Sequence, residues 1–442
     1  MQFPAGFIQH INNCKGFDEV AFTQAHQLPT PVSIRYNPQK PVEKMAGSPV
    51  PWCAEALYLP ERPLFVFDPL FHAGAYYVQE ASSMFAGYLF RQFTDDKKPL
   101  HILDVCAAPG GKSTLIAGLM SPQSLLVSNE VIKSRVTILK ENIVKWGNPN
   151  VVVSNNDPRD FSGMNGFFDV IIVDAPCSGS GLFRKEPEAK KEWSIENVNH
   201  CSLRQQRILE DIIPALKPGG LLLYATCSYA YEEDEKIVEI LLQNDFEPLP
   251  KISVPAEFGG IVFSKSGYRF YPDKITGEGF FIAALRKKNG GDEQTNQIKK
   301  QFIPINADEK NIVANYLHQP ENYFFFKYKE VIYCIPEIVK SSISALGGLH
   351  LIKSGTALGS IKNNELIPDH ELAMSSIISK TIPRLELNAT DAITYLRKNT
   401  LQINSNLKGW CLITHQNIPL GWAKIIPGRL NNYFPTEWRI RK

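Results

Sequence analysis

The chain has 442 residues, too many for one hydrophobic core, so two or three domains are expected. Hydrophobic residues make up 44% and charged residues 21%, ordinary for a globular protein, and no apolar run approaches the roughly 18 residues that would span a membrane. The net charge of +2 hides a gradient: residues 301–442 carry 16 basic groups against 11 acidic, an imbalance in the direction of a nucleic-acid partner.

The N-terminus, Met1-Gln2-Phe3-Pro4-Ala5-Gly6, lacks the basic start of a secretory signal, so the cytoplasm is the expected compartment. The eight cysteines, 14, 53, 106, 177, 201, 227, 334 and 411, include no C-x-x-C pair. That speaks for free thiols in a reducing compartment and against a zinc site. A proline-rich stretch over 29–63 leads to a soft boundary near 70–78, which separates a small N-terminal module, 1–75, from a domain over 76–288. Within that domain, strand and helix signals alternate. Strands are predicted over 101–105, 124–129, 151–154, 168–173, 221–225 and 280–284. Helices are predicted over 112–119, 132–145, 198–216, ending at Pro218-Gly219-Gly220, and 234–243. Such alternation implies a doubly wound parallel sheet that binds ligands at the carboxyl ends of its strands. A polar, Gly-containing stretch over 287–300 reads as a linker, and 301–442 forms the C-terminal part.

The first strand leads into the turn Cys106-Ala107-Ala108-Pro109-Gly110-Gly111-Lys112. The glycines allow close backbone approach, and the following helix offers free N–H groups. Gly111-Lys112-Ser113 matches the tail of a P-loop, but the first glycine of that motif would fall at Cys106, and Pro109 lacks an N–H. A nucleotide triphosphatase is therefore disfavoured. Glu130 follows the second strand, where an acidic group takes ribose hydroxyls; Asp157 follows the third, where it could receive an adenine amine; Asp174 ends the fourth. This ordered set outlines a nucleoside pocket with no triphosphate site, which favours S-adenosylmethionine.

Most cysteines are small buried hydrophobes, and Cys106 and Cys201 fit that description. Cys177 and Cys227 stand apart. Each sits at a strand's carboxyl end, in Asp174-Ala175-Pro176-Cys177-Ser178-Gly179 and in Ala225-Thr226-Cys227-Ser228. Neighbouring strands lie about 5 Å apart, so two such tips can face one substrate. A thiolate beside a methyl donor suits pyrimidine C5 chemistry: addition to C6 makes C5 nucleophilic, a base removes the C5 proton, and the thiol is eliminated. Either cysteine could be the nucleophile, with Asp174 meeting N3 and the exocyclic amine and the other cysteine assisting release. The base must be unpaired or flipped out.

These stretches, together with Tyr77-Val78-Gln79-Glu80-Ala81-Ser82-Ser83, Phe183-Arg184-Lys185-Glu186-Pro187 and Leu203-Arg204-Gln205-Gln206, resemble the RNA 5-methylcytosine methyltransferases of the Nop/Sun type, in particular the bacterial ribosomal-RNA branch (RsmF-like). The resemblance runs over about 30–286 and recurs at Pro419-Leu420-Gly421-Trp422. It implies a Rossmann-like S-adenosylmethionine-dependent core, a small N-terminal α+β module that contacts RNA, and a C-terminal α+β, PUA-like RNA-binding domain. It also implies cofactor contacts from residues 106–112, Glu130, Asp157 and Asp174, with Cys227 as nucleophile and Cys177 assisting release. Where the family often shows an acidic-Asn-acidic run after the second cysteine, this chain has Glu233-Asp234-Glu235. The C-terminal group Trp422, Lys424, Arg429, Tyr433, Phe434, Trp438, Arg439, Arg441 and Lys442 interleaves basic and aromatic residues, which suits RNA and equally a solvated basic face over core aromatics; the resemblance tips the reading towards RNA.

The expected activity is cytosine-C5 methylation of small-subunit ribosomal RNA by a monomer with no membrane contact. The rivals are methylation of transfer RNA, a non-catalytic ribosome-assembly factor, and a thiol hydrolase, which would need a histidine near one cysteine; His200 is the remote candidate.

Overall fold

The structure is a computed structural model that describes residues 3–95, 97–265, 267–288, 302–402, 405–427 and 429–441. The expected linker lies, from residue 289 on, outside the described residues, as does Lys442.

The middle of the chain builds one large sheet. Its strands are β1 (His101–Asp104), β2 (Leu125–Asn129), β3 (Val151–Ser154), β4 (Phe168–Asp174), β5 (Leu216–Thr226), β6 (Phe246–Pro248), β7 (Val262–Ser264), β8 (Gly267–Phe270), β9 (Phe280–Lys287) and β10 (Leu351–Ser354). The helices between them are α1 (Gly111–Ala117), α2 (Lys133–Trp146), α3 (Ile195–Ile212) and α4 (Glu235–Gln243). The spatial order is β7-β8-β9-β5-β4-β1-β2-β3-β10, with β6 paired to β9. Strands β1 to β5 pair in parallel, and their near-continuous apolar runs (Leu125-Leu126-Val127, Val170-Ile171-Ile172-Val173, Leu221-Leu222-Leu223) are buried on both faces, as a helix-covered parallel sheet demands. From β1 the chain first winds outward through β2 and β3, then returns to β4 on the other side. The order reverses between β1 and β4, and there the carboxyl ends of the strands open a crevice.

The largest departures from the sequence reading lie where α3 passes into β5. Helix α3 ends at Ile212 because Pro214 enters a 3-10 turn (Ile213–Ala215), where it cannot donate the helical hydrogen bond. Strand β5 then begins at Leu216, and Pro218-Gly219-Gly220, read as a helix stop, is accommodated within it across an irregular register with β4. The antiparallel strands β6, β7 and β8 lack a clear apolar run; β8 carries Arg269, whose burial depends on partners far along the chain.

The N-terminal region forms short helices (Phe7–Ile11, Glu19–Ala25, Pro69–His72) and an antiparallel sheet in the order Ser48–Val50, Cys53–Leu59, Val32–Tyr36, Tyr76–Val78. Arg35, 2% exposed, ties this sheet to the domain: it donates to Gln79 Oε1 (2.9 Å), Thr114 Oγ1 (2.7 Å) and Gly111 O (3.3 Å), beneath the Trp146 ring. The C-terminal region builds two further sheets, one of five strands between Ile303 and Pro368 and one of four between Arg384 and Asn432. Strand β10 comes from this region and closes the open edge of β3 in antiparallel register, Leu351 opposite Ser154. Trp422 and Phe434 are buried at 1%, so these two aromatics are core residues and not an RNA-facing stack. Tyr433 is exposed, and Lys424 pairs with Glu365 at 2.7 Å. No helix among the described residues is long and apolar enough to cross a membrane.

Candidate active site

The turn after β1 reverses at Gly110, whose φ of +114° lies in the left-handed region that favours glycine, and α1 starts at the next residue. The Ala108–Pro109 peptide bond is cis. Asn142 and Arg135, both on α2, donate to Pro109 O (2.8 Å) and Ala108 O (2.6 Å), so helix α2 holds the turn from the side. Beneath it, Asp104 at the end of β1 is fully buried. Its Oδ2 accepts from Ser113 Oγ at 2.7 Å, and its Oδ1 has no hydrogen-bond partner. Burial, offset in part by the Ser113 bond, pushes the Asp104 carboxyl up to about 7.

Glu130, 2% exposed, lies across the turn at the tip of β2. Its Oε1 accepts from the Ile132 N–H (2.9 Å); its Oε2 is buried with no hydrogen-bond partner, 3.6 Å from the Arg135 guanidinium. Val105, Cys106, Ala108, Ile132 and Pro158 line the same cleft, about 250 Å³ in volume. A buried carboxylate oxygen awaiting a donor, between small apolar walls and a glycine turn, fits the ribose of an adenosine-based cofactor. Asp157 is placed differently. It caps the short 3-10 turn Pro158–Phe161 and pairs with Arg159 (3.2 Å) and Arg207 (3.6 Å), while Pro158 beside it lines the cleft.

The other end of the cleft holds the thiols. Asp174 at the tip of β4 receives Lys112 Nζ at 2.8 Å. Burial is the largest single influence on Lys112 and opposes its charge, but the contact with Asp174 and the nearby Asp104 together hold the ammonium above its ordinary range. Cys177 and Cys227 follow neighbouring strands, β4 and β5, and their sulfurs lie 2.9 Å apart. The bond to Cys227 and, after it, burial push the Cys177 thiol well above the usual range. Either sulfur can donate to the other across this contact. The Cys177 loop turns at Gly179 (φ +73°) and reaches Gly181, whose N–H donates to Cys227 O at 2.8 Å while its own carbonyl accepts from Gly279 (3.1 Å).

Asp174, Cys177, Cys227, Glu130 and Cys106 thus converge on one cleft. No histidine among the described residues lines it, and His200 is exposed on α3. Arg204, on the helix with the Leu-Arg-Gln-Gln signature, lines the cleft too. Asp104 and Glu233 lay within quoted motifs without an assigned role. Asp104 closes an apolar strand and Glu233 stands in an acidic run, and only the fold reveals that both are buried.

Family models match the chain almost end to end: residues 3–81 the N-terminal domain of 16S rRNA methyltransferase RsmF, 93–286 the 16S rRNA methyltransferase RsmB/F family, 311–375 the RsmF rRNA methyltransferase first C-terminal domain, and 382–440 the methyltransferase RsmF PUA domain. A ribosomal RNA small subunit methyltransferase F from Cronobacter sakazakii is 31% identical over 412 residues, 88% of this chain and 84% of that protein. One from Enterobacter sp. is 31% identical over 447 residues, 94% and 91%. Among solved structures, a methyltransferase homolog protein from Pyrococcus horikoshii is 30% identical with a TM-score of 0.52, covering 64% of this chain and 94% of that one. NSun6 from the same organism, solved with SFG, shares the fold at a TM-score of 0.56 and 21% identity, covering 65% and 99%.

Proposed function

We propose that this chain, which belongs to the 16S rRNA methyltransferase RsmB/F family, methylates C5 of a cytosine in small-subunit ribosomal RNA through a covalent adduct on Cys227. Membership makes it an RNA methyltransferase with S-adenosylmethionine as donor. Ribosomal RNA as the substrate is supported by the names of the relatives, and the covalent step by the thiol geometry.

The turn 106–112, of which Cys106 and Ala108 line the cleft, and Glu130 would hold the cofactor, Glu130 by accepting from a ribose hydroxyl; Asp157, beside Pro158, is the proposed acceptor for an adenine amine. When bound, S-adenosylmethionine supplies an electrophilic methyl group to C5. The Cys227 thiolate adds its electron pair to C6 of the flipped cytosine, forming a C6–S bond and moving the C5–C6 π electrons to C5. Asp174, anchored by Lys112, accepts from the exocyclic amine and orients the ring. After methylation the C5 proton passes to solvent in the open cleft. Its electrons restore the C5=C6 bond and the C6–S pair leaves on Cys227. The Cys177 S–H, 2.9 Å away, donates to that departing sulfur.

The single observation carrying this reading is that two thiols in contact share a cleft with the orphan oxygen of Glu130. Its test is nucleoside mass spectrometry of RNA incubated with the protein and S-adenosylmethionine. Small-subunit ribosomal RNA, naked or in subunits, gains 5-methylcytidine. Product confined to transfer RNA would overturn the substrate, and product at another atom would overturn the chemistry.

A further inference from the structure

We propose that Glu233 is a positioning residue that divides the labour between the two cysteines, by clasping the Cys177 loop to the Cys227 loop from beneath. The inference rests on the covalent reading above and says how that site is set.

Glu233 is fully buried, yet it does not point into the cleft. Its carboxylate accepts from the Ser178 N–H (2.8 Å), Ser178 Oγ (2.5 Å), Ser228 Oγ (2.6 Å) and Gln205 Nε2 (3.3 Å). Ser178 follows Cys177 and Ser228 follows Cys227, so one carboxylate sets the spacing of the two thiols. Gln205, on α3, also donates to Pro176 O, and Tyr224 OH donates to Glu233 O, which fixes the clasp to the helix and to β5. On the far side of Cys227, Thr226 Oγ1 donates to Asp234, which pairs with Arg269; Arg269 also forks onto Glu235. The run Glu233-Asp234-Glu235 therefore braces the nucleophile loop from both sides.

The clasp also places charge unevenly. The groups facing Glu233 are Ser178, Ser228 and Gln205, with Cys177, Cys201, Tyr224 and the Arg269-paired Asp234 nearby. After the bond to Cys227 and burial, the negative charge of Glu233 works further against a thiolate at Cys177. A carboxylate beside one member of a thiol pair favours the proton on that member.

The test is alkylation of the whole protein by iodoacetamide across pH 6 to 9, without RNA, with each cysteine followed by peptide mass spectrometry. In the unsubstituted protein Cys227 reacts first, by about tenfold, the equivalent of one pKa unit. In Glu233→Gln, which keeps the shape and removes the charge, that preference falls towards parity and kcat drops, with the KM for S-adenosylmethionine unchanged. Glu233→Asp restores part of the preference, and it carries the test alone if the Gln variant fails to fold. Unchanged preference and kcat in the variants overturn the proposal. A shifted preference in Glu233→Gln, with no RNA adduct in Cys177→Ala, would uphold the clasp and sink the covalent reading instead.

Discussion

At the scale of single residues, the site depends on carboxylates put where water would not choose to leave them. Asp104 bears this most plainly: fully buried, bonded on one oxygen only, with the nearest cation, Lys112, committed to Asp174. Its carboxyl stands near 7 in the fold against about 4 in an unfolded chain. A raised folded value contributes stability below about pH 4 that is lost as pH climbs through 7. Asp104→Asn cannot ionise, so its thermal stability should match the parent near pH 3 and exceed it at pH 8, by on the order of 4 kcal/mol. Denaturation scans of the cofactor-free protein at the two pH values check this; a gap that does not widen with pH would show that Asp104 is solvated or paired. The nearby motifs were legible as patterns because glycine, proline and cysteine announce turns and reactive groups. The burial of Asp104 and Glu233 was not legible, since a carboxylate in a motif looks the same whether it faces solvent or a core.

At the scale of elements, the parallel strands declared themselves by their apolar runs, and the parallel core of the sheet follows from them. Strands β7 and β8 stayed hidden because their charged member, Arg269, is neutralised by Asp234 and Glu235 from the start of α4, a contact no local window contains. The same holds for the thiols: each motif was visible, but their contact depends on how two loops meet. They meet at Gly181. A Cβ there would overlap Gly279 O and come within 2.8 Å of Cys227 O, both backbone atoms that cannot swing aside. Gly181→Ala should cost about 1–3 kcal/mol of stability by overpacking and reduce methyl transfer more than its melting point alone explains. Thermal denaturation together with product yield at a temperature where the variant is fully folded tests this; full activity would mean the two loops are set elsewhere.

At the scale of the whole molecule, the catalytic sheet is not a self-contained unit. Strand β10 arrives from the C-terminal region to cover β3, and Arg35 reaches from the N-terminal sheet to hold α1, so the flanking parts brace the cofactor side of the cleft. Neither link was visible in the sequence: Leu351-Ile352-Lys353-Ser354 reads as any short strand, and an arginine reads as surface. The basic excess of the C-terminal region remains the proposed RNA footprint, now with Trp422 and Phe434 assigned to its core. Because these parts brace the sheet and helix that carry the cleft, the full chain is the right object for the decisive measurement. Cys177→Ala and Cys227→Ala proteins are each incubated with S-adenosylmethionine and small ribosomal subunits or their RNA, then resolved on denaturing gels. Cys177→Ala should accumulate a protein–RNA adduct, because the bond to Cys227 forms and its release is impaired, while Cys227→Ala should yield neither adduct nor product. An adduct in Cys227→Ala would make Cys177 the nucleophile and contradict the account.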